Sequence, residues 1–182
     1  RIGLGHRYGR SMQTIAGIHY NFSVPDSIWQ QIAEFQKPRL SLKDIKTDGY
    51  FGLIRNFRRS AWLLNYLFGA TPSVCASFVH GKTHKLQFLN NKKSYYSPYA
   101  TSLRMGDLGY QSQAQASLNV TYNDMDSYTT SLKAALQENY PKYQVIGLKD
   151  DSGHLRQLNT NLLQIENEFY SEIRPKQPTK SG

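Results

Sequence analysis

The stretch Met12 to Val24 carries the residues best suited to chemistry, and it alternates. One face holds Met12, Thr14, Ala16, Ile18, Tyr20, Phe22 and Val24; the other holds Gln13, Ile15, Gly17, His19, Asn21 and Ser23. Successive side chains of a strand point to opposite faces, so the pattern predicts a strand with one apolar and one largely polar face. Strand faces turned to solvent usually show Lys, Glu and Thr. Gln13, His19 and Asn21 around a glycine suit directed hydrogen bonding or metal ligation instead. Two readings of His19 stand side by side: a neutral imidazole holding a divalent cation next to amides that orient a substrate, or a hydrogen-bonded histidine on a sheet face. No His, Cys or Glu lies two to four positions away, so a local zinc motif is absent.

Arg104 sits in Ser102 to Gln111, a stretch with Gly106 and Gly109 and little periodicity that reads as a loop. Its planar guanidinium suits a carboxylate clamp, although most loop arginines are only solvated. Tyr110 and Tyr170 can each offer an aromatic wall with a hydroxyl, yet the chain has 13 tyrosines and any one alone is weak evidence. Cys75, the only cysteine, lies among Val74, Ala76 and Phe78 and reads as a buried structural thiol rather than a nucleophile. His6, His80, His84 and His154 occupy loop-like surroundings and read as solvated. Neither a Gly-rich phosphate loop nor a G-x-G-x-x-G after a strand occurs.

The elements that must position these residues follow from local signals. Arg1 to Arg10, rich in Gly and Arg, reads as a loop. Pro25 ends the first strand, and Asp26 or Ser27 can cap a helix carrying Ile28, Trp29, Ile32 and Phe35 up to Pro38. Thr47 or Asp48 is the expected cap of a longer helix through Tyr50, Ile54, Phe57, Ala61, Leu64 and Tyr66, closed by Gly69. Being apolar round most of its circumference, that helix is expected to be well buried. Lys82 to Tyr99 reads as a long excursion. Leu118, Val120 and Tyr122 alternate as a second strand, and Leu163 to Tyr170 alternates again. Between them a helix from about Asp124 to Asn139 presents Tyr128, Leu132, Ala135 and Leu136, with Pro141 beyond its end. Strands separated by helices and long loops favour an α+β fold over a parallel α/β sheet.

Composition narrows the function classes. With 182 residues, 39% hydrophobic and 13% aromatic, the chain is globular in type and long enough for one domain. No apolar run approaches the roughly 18–20 residues of a membrane span, and a single cysteine excludes a disulfide scaffold. The 22 Lys+Arg against 13 Asp+Glu give a net charge of +9, which favours anionic partners. The densest basic cluster, Arg55, Arg58 and Arg59, reads as the solvated face of an amphipathic helix more readily than as a nucleic-acid patch. The chain starts at Arg1 without Met or a signal-like region and stops in Pro178-Thr179-Lys180-Ser181-Gly182. It reads as a piece of something longer.

Several blocks resemble one family. Arg7-Tyr8-Gly9-Arg10, Met12-Gln13-Thr14-Ile15-Ala16-Gly17-Ile18-His19-Tyr20-Asn21-Phe22-Ser23 and Gly49-Tyr50-Phe51-Gly52-Leu53-Ile54-Arg55-Asn56-Phe57 resemble the proteobacterial type of glutamate–cysteine ligase. Tyr99-Ala100-Thr101-Ser102-Leu103-Arg104-Met105, Leu108-Gly109-Tyr110-Gln111 and Gln164-Ile165-Glu166-Asn167-Glu168 fit the same family in the same order, so the likeness covers essentially the whole chain.

The resemblance implies a glutamine-synthetase-like fold, a curved, mostly antiparallel sheet with helices packed on it. Residues 1–182 would form a single partial domain, an internal fragment of the catalytic domain. It also implies an ATP-dependent reaction joining the γ-carboxyl of glutamate to the amine of cysteine through γ-glutamyl phosphate, the first step of glutathione synthesis. Mg²⁺ would be the cofactor and ATP a co-substrate, in the cytoplasm, with no nucleic-acid or membrane partner. Residue by residue, His19 matches a Mg²⁺ ligand, Gln13 and Asn21 match amides that contact the amino acids, and Arg104 matches the arginine on substrate carboxylate and phosphoryl oxygens. Leu4, Tyr110 and Tyr170 match the cysteine pocket. The family's acidic metal ligands and much of its ATP site would lie outside this chain, so the fragment alone is expected to be inactive. The rival reading is an amino-acid-binding module without catalysis.

Overall fold

The structure, a computed structural model, describes residues 1–14, 19–35, 40–89, 93–103 and 113–176. Helix α1 (Ile2–Tyr8) opens the chain where a loop was expected, and a 3-10 turn over Arg10–Thr14 follows it. Glycines weaken a helix by propensity, but tertiary contacts outweigh that here. Gly3 lies against the Gln164 amide, which a Cβ would approach to 2.6 Å, and Gly9 closes the helix at φ 86° with its N–H on the Gly5 carbonyl. Only glycine accepts both positions without strain.

The strand expected over Met12–Val24 is not formed among the described residues. Its first part belongs to the 3-10 turn, residues 15–18 lie outside the description, and 19–25 run without regular secondary structure. Tyr20 and Phe22, on the expected apolar face, are exposed, Tyr20 by 86%. Alternation sets the faces of a strand only where a neighbouring strand takes up its backbone N–H and C=O groups. Among the described residues no strand pairs with 19–24.

Helix α2 (Asp26–Phe35) stands where expected and buries Trp29. Helix α3 (Leu42–Phe68) begins earlier than the expected Thr47 or Asp48, because the Ser41 hydroxyl accepts the Asp44 N–H at 3.2 Å. Gly69 closes it, by space rather than by a left-handed turn: a Cβ there would meet the Thr101 carbonyl. Only Ile45, Phe51, Ile54 and Ala61 of α3 are buried. Trp62, Leu64, Tyr66, Leu67 and Phe68 are exposed, which corrects the expectation of a well-buried helix.

Part of the sheet lies within Lys82–Tyr99, where a long excursion was expected. Strands β1 (Ser73–Cys75), β2 (Gln87–Phe88) and β3 (Ser94–Tyr96) form an antiparallel sheet in the order β1-β3-β2, with Val74 opposite Tyr95 and Phe88 opposite Tyr95. Helix α4 (Ala76–Val79) continues directly from β1. The α+β reading holds, with a sheet smaller than expected and built from other residues.

The C-terminal half packs around helix α6 (Met125–Gln137), reached through the short helix α5 (Gln113–Ala116). Asp124 caps α6: Ser127 N–H donates to Asp124 Oδ1 at 2.7 Å and the Ser127 hydroxyl faces the Asp124 N–H. Tyr128, Leu132 and Ala135 turn inward as their spacing predicts and join Phe51, Ile54, Tyr122, Leu162, Leu163 and Phe169 in one core. Pro141 opens helix α7 (Pro141–Ile146) rather than merely following α6, its missing N–H being harmless in a first turn. The two other alternating stretches form no ladder among the described residues. Leu118 to Tyr122 is an irregular connection, and consecutive Leu162 and Leu163 are both buried before a 3-10 turn at Glu166–Glu168.

The Ser127 hydrogen bonds hold the Asp124 carboxyl below the ordinary carboxylate range. A lowered folded pKa means that this contribution is complete above the unfolded value of about 3.9 and disappears as pH falls through the folded value. An asparagine at that position would cap without titrating. Acid titration followed by circular dichroism should therefore show wild type losing helix stability relative to Asp124→Asn on the acid side of pH ~4. Parallel titrations would refute the cap's role.

Candidate functional site

Three of the predicted residues, Gln13, His19 and Asn21, are exposed. Gln13 Nε2 donates to the Arg1 carbonyl at 3.0 Å, which folds the 3-10 turn back on the start of α1. His19 and Asn21 stand in the irregular connection before α2. Arg104 and Tyr110 lie in 104–112, outside the described residues. Leu4 is half-buried on α1, and Tyr170 is half-buried two positions after Glu168.

Helix α1 is tied to the segment of Tyr170 by a buried polar network. Arg7 and Glu168 form an ion pair at 3.2 Å whose side chains are 0% and 2% exposed. The rest of the Arg7 guanidinium is spent on Gln157 Oε1 at 3.0 Å and on the carbonyls of Asn161 at 3.1 Å and Asn159 at 2.6 Å. Its plane also lies 4.1 Å from the Tyr143 ring centroid. Glu168 accepts further from the Tyr8 hydroxyl at 2.9 Å and from the Gln164 N–H. Burial, with the Glu168 charge beside it, pushes the Tyr8 phenol far above its ordinary value, so it remains a donor.

Gln115 joins the same network from α5. Its Nε2 donates to the Tyr8 hydroxyl at 3.1 Å and to the Glu168 carbonyl at 2.9 Å, and its Oε1 accepts the Tyr170 N–H at 3.1 Å. Sequence reasoning assigned no role to Arg7, Tyr8, Gln115, Gln157 or Glu168. Arg7 and Glu168 are 161 positions apart, and no local pattern announces such a meeting. The only available signal was that Arg7-Tyr8 and Glu168 fall inside blocks shared with the resembled family.

Other expectations change. Arg55 is not a solvated side chain: its Nη1 donates to the carbonyls of Tyr122 at 3.1 Å and Asn123 at 2.5 Å, and the Arg58 guanidinium lies 4.6 Å from the Tyr122 ring centroid. Two of the three clustered arginines thus brace the entry to α6. His84 is half-buried with its ring edge-on to Tyr95 at 4.6 Å, whereas His6, His80 and His154 are exposed as expected. Among the described residues, no group of three or more His, Cys, Asp or Glu side chains is gathered to hold a metal ion, and no helix is long and apolar enough to cross a membrane. A separate cavity of about 280 Å³ opens beside α6, floored by Tyr128, Leu132 and Leu136 and rimmed by Lys133 and Arg174. None of the seven predicted residues is among the described residues lining it.

Cys75 is exposed, not buried. The Ser77 hydroxyl donates to its sulfur at 3.3 Å and lowers the thiol pKa. Iodoacetamide should therefore label Cys75 in the folded protein at a rate within about tenfold of a free cysteine peptide, since rate follows thiolate fraction and access. Protection by roughly a hundredfold or more would put the thiol back in the interior.

The family model described as glutamate-cysteine ligase matches residues 1–182. The glutamate–cysteine ligase of Saccharophagus degradans is 59% identical over all of this chain and 34% of its own length, and that of Pseudomonas aeruginosa is 53% identical over the same shares. The crystal structure of the glutamate–cysteine ligase of Francisella tularensis in complex with AMP superposes with a TM-score of 0.85 at 42% identity, over 98% of this chain and 34% of that one. The chain spans about a third of the length of the relatives it matches.

Proposed function

The chain belongs to the glutamate–cysteine ligase family, and from that premise we propose that it supplies the amino-acid-binding part of an ATP-dependent ligase joining glutamate to cysteine. Residues 1–182 act as one partial domain of that enzyme, in the cytoplasm, on the route to glutathione, with no nucleic-acid or membrane partner. The single observation carrying this reading is the family match over every residue of the chain, at 59% identity to the Saccharophagus degradans ligase.

In the proposed reaction an oxygen of the glutamate γ-carboxylate takes the γ-phosphoryl group of ATP and ADP departs. The cysteine amine then attacks the acyl carbon of γ-glutamyl phosphate, phosphate leaves, and the amine loses a proton as the amide forms. Positioning and charge stabilisation dominate such chemistry. Arg104 offers paired donors to carboxylate and phosphoryl oxygens. Gln13 and Asn21 hydrogen-bond the amino acids. Leu4, Tyr110 and Tyr170 wall the cysteine side chain.

Mg²⁺, which the family's chemistry implies, prefers near-octahedral oxygen coordination. The described residues do not fit it: His19 is exposed and belongs to no group of three or more His, Cys, Asp or Glu side chains. His19 becomes a ligand only with oxygen donors from outside the described residues. Alone, the chain forms no γ-glutamylcysteine. The same lack of gathered donors favours the second reading, a module that binds amino acids without turning over ATP.

The test grafts residues 1–182 into the Saccharophagus degradans ligase in place of its matching third. The graft should release ADP and form γ-glutamylcysteine when glutamate, cysteine and ATP are supplied. Cysteine binding by a folded graft without ADP release would select the binding module, and neither would refute both. Because the substrate amine is the nucleophile, Cys75→Ala in the active graft should leave turnover nearly unchanged.

A further inference from the structure

We propose that Gln115 is a positioning residue for cysteine binding, its side-chain amide holding the backbone of Tyr170 and helix α1 in one fixed relation. The inference rests on the ligase reading above and adds to it a residue that never touches substrate. The geometry is specific. The Glu168 carbonyl and the Tyr170 N–H present an acceptor and a donor two residues apart, as one edge of a strand does. The Gln115 amide meets both, donating at 2.9 Å and accepting at 3.1 Å, as the N–H and C=O of one residue on a neighbouring parallel strand would. Only one orientation of the amide satisfies that pair, so its Nε2 is also the atom that donates to the Tyr8 hydroxyl at 3.1 Å.

Tyr8 lies four positions after Leu4 on α1, hence on the same helical face. One buried side chain, 8% exposed, thereby links the backbone of Tyr170 to the face of α1 that carries Leu4. Those two positions come from opposite ends of the chain and are the two proposed cysteine-pocket walls that the structure describes. Gln115 also stands close in sequence to Arg104 and Tyr110. A side chain satisfied by three partners in a buried site fixes geometry, because losing any of them strands a polar group without water.

The test compares Gln115→Glu and Gln115→Met in the active graft. Glutamate replaces the donor by an oxygen facing the Glu168 carbonyl; methionine keeps length but removes every hydrogen bond. Both should raise the KM for cysteine about tenfold or more, while the KM for glutamate and for ATP stays within about twofold and kcat within about threefold. Equal factors on all three substrates, or unchanged kinetics with a lower melting temperature, would make Gln115 purely structural and overturn the proposal. So would failure of both variants to fold. A folded parent graft that forms no dipeptide overturns the ligase reading and this inference with it, whereas an active parent with uniform variants overturns only the inference.

Discussion

Arg7→Met should destabilise the protein by about 3–5 kcal/mol, the range found when one partner of a buried ion pair is removed. The expectation rests on the side chain being 0% exposed, on its pair with Glu168 at 3.2 Å, and on the two backbone carbonyls and the Gln157 amide that it also satisfies. Removing the guanidinium leaves the Glu168 carboxylate, 2% exposed, facing only neutral donors. The double variant Arg7→Met, Glu168→Gln should recover part of the loss, because it removes the stranded charge as well. Urea unfolding of the three forms measures both effects. A loss below about 1 kcal/mol would match a solvated surface pair and contradict the burial.

Phe51→Ala is the second large effect, about 3–5 kcal/mol, from lost transfer energy and the cavity left behind. Phe51 is 1% exposed and meets the Tyr128 ring edge-on at 5.8 Å, so its neighbours on α3 and α6 have no simple way to close the gap. Burial around that contact also raises the Tyr128 phenol to about 12. Trp62→Ala on the same helix should change stability by only about 0.5 kcal/mol, because the indole is 66% exposed. Comparable losses at both positions would mean that the C-terminal half of α3 is covered in solution.

Helices with complete local signals were legible from the residues alone. Asp124, the inward spacing of Tyr128, Leu132 and Ala135, and Pro141 place α6 to within two residues, since capping bonds and side-chain neighbours all lie within a turn or two. The same holds for α2. The start of α3 is less legible because Ser41, Thr47 and Asp48 are all chemically able to cap, and only the bond from Asp44 N–H to Ser41 Oγ distinguishes them. At the site, the family blocks identified which residues to watch, but not which of them meet.

Family membership, the net charge of +9 and the α2 and α6 helices were determined by the order of residues alone. Each depends on residue identity or on neighbours a few positions apart. Tertiary structure alone decided that the alternating Met12–Val24 stretch pairs with no strand among the described residues, that Cys75 is exposed, and that a glycine-rich opening becomes helix α1. It also decided that Arg7 meets Glu168 and that Gln115 stands between Tyr8 and Tyr170. The physical reason is common to all of these. A strand needs a partner for its backbone, and a buried charge needs its counter-charge and hydrogen bonds, and neither requirement says how far along the chain the partner lies.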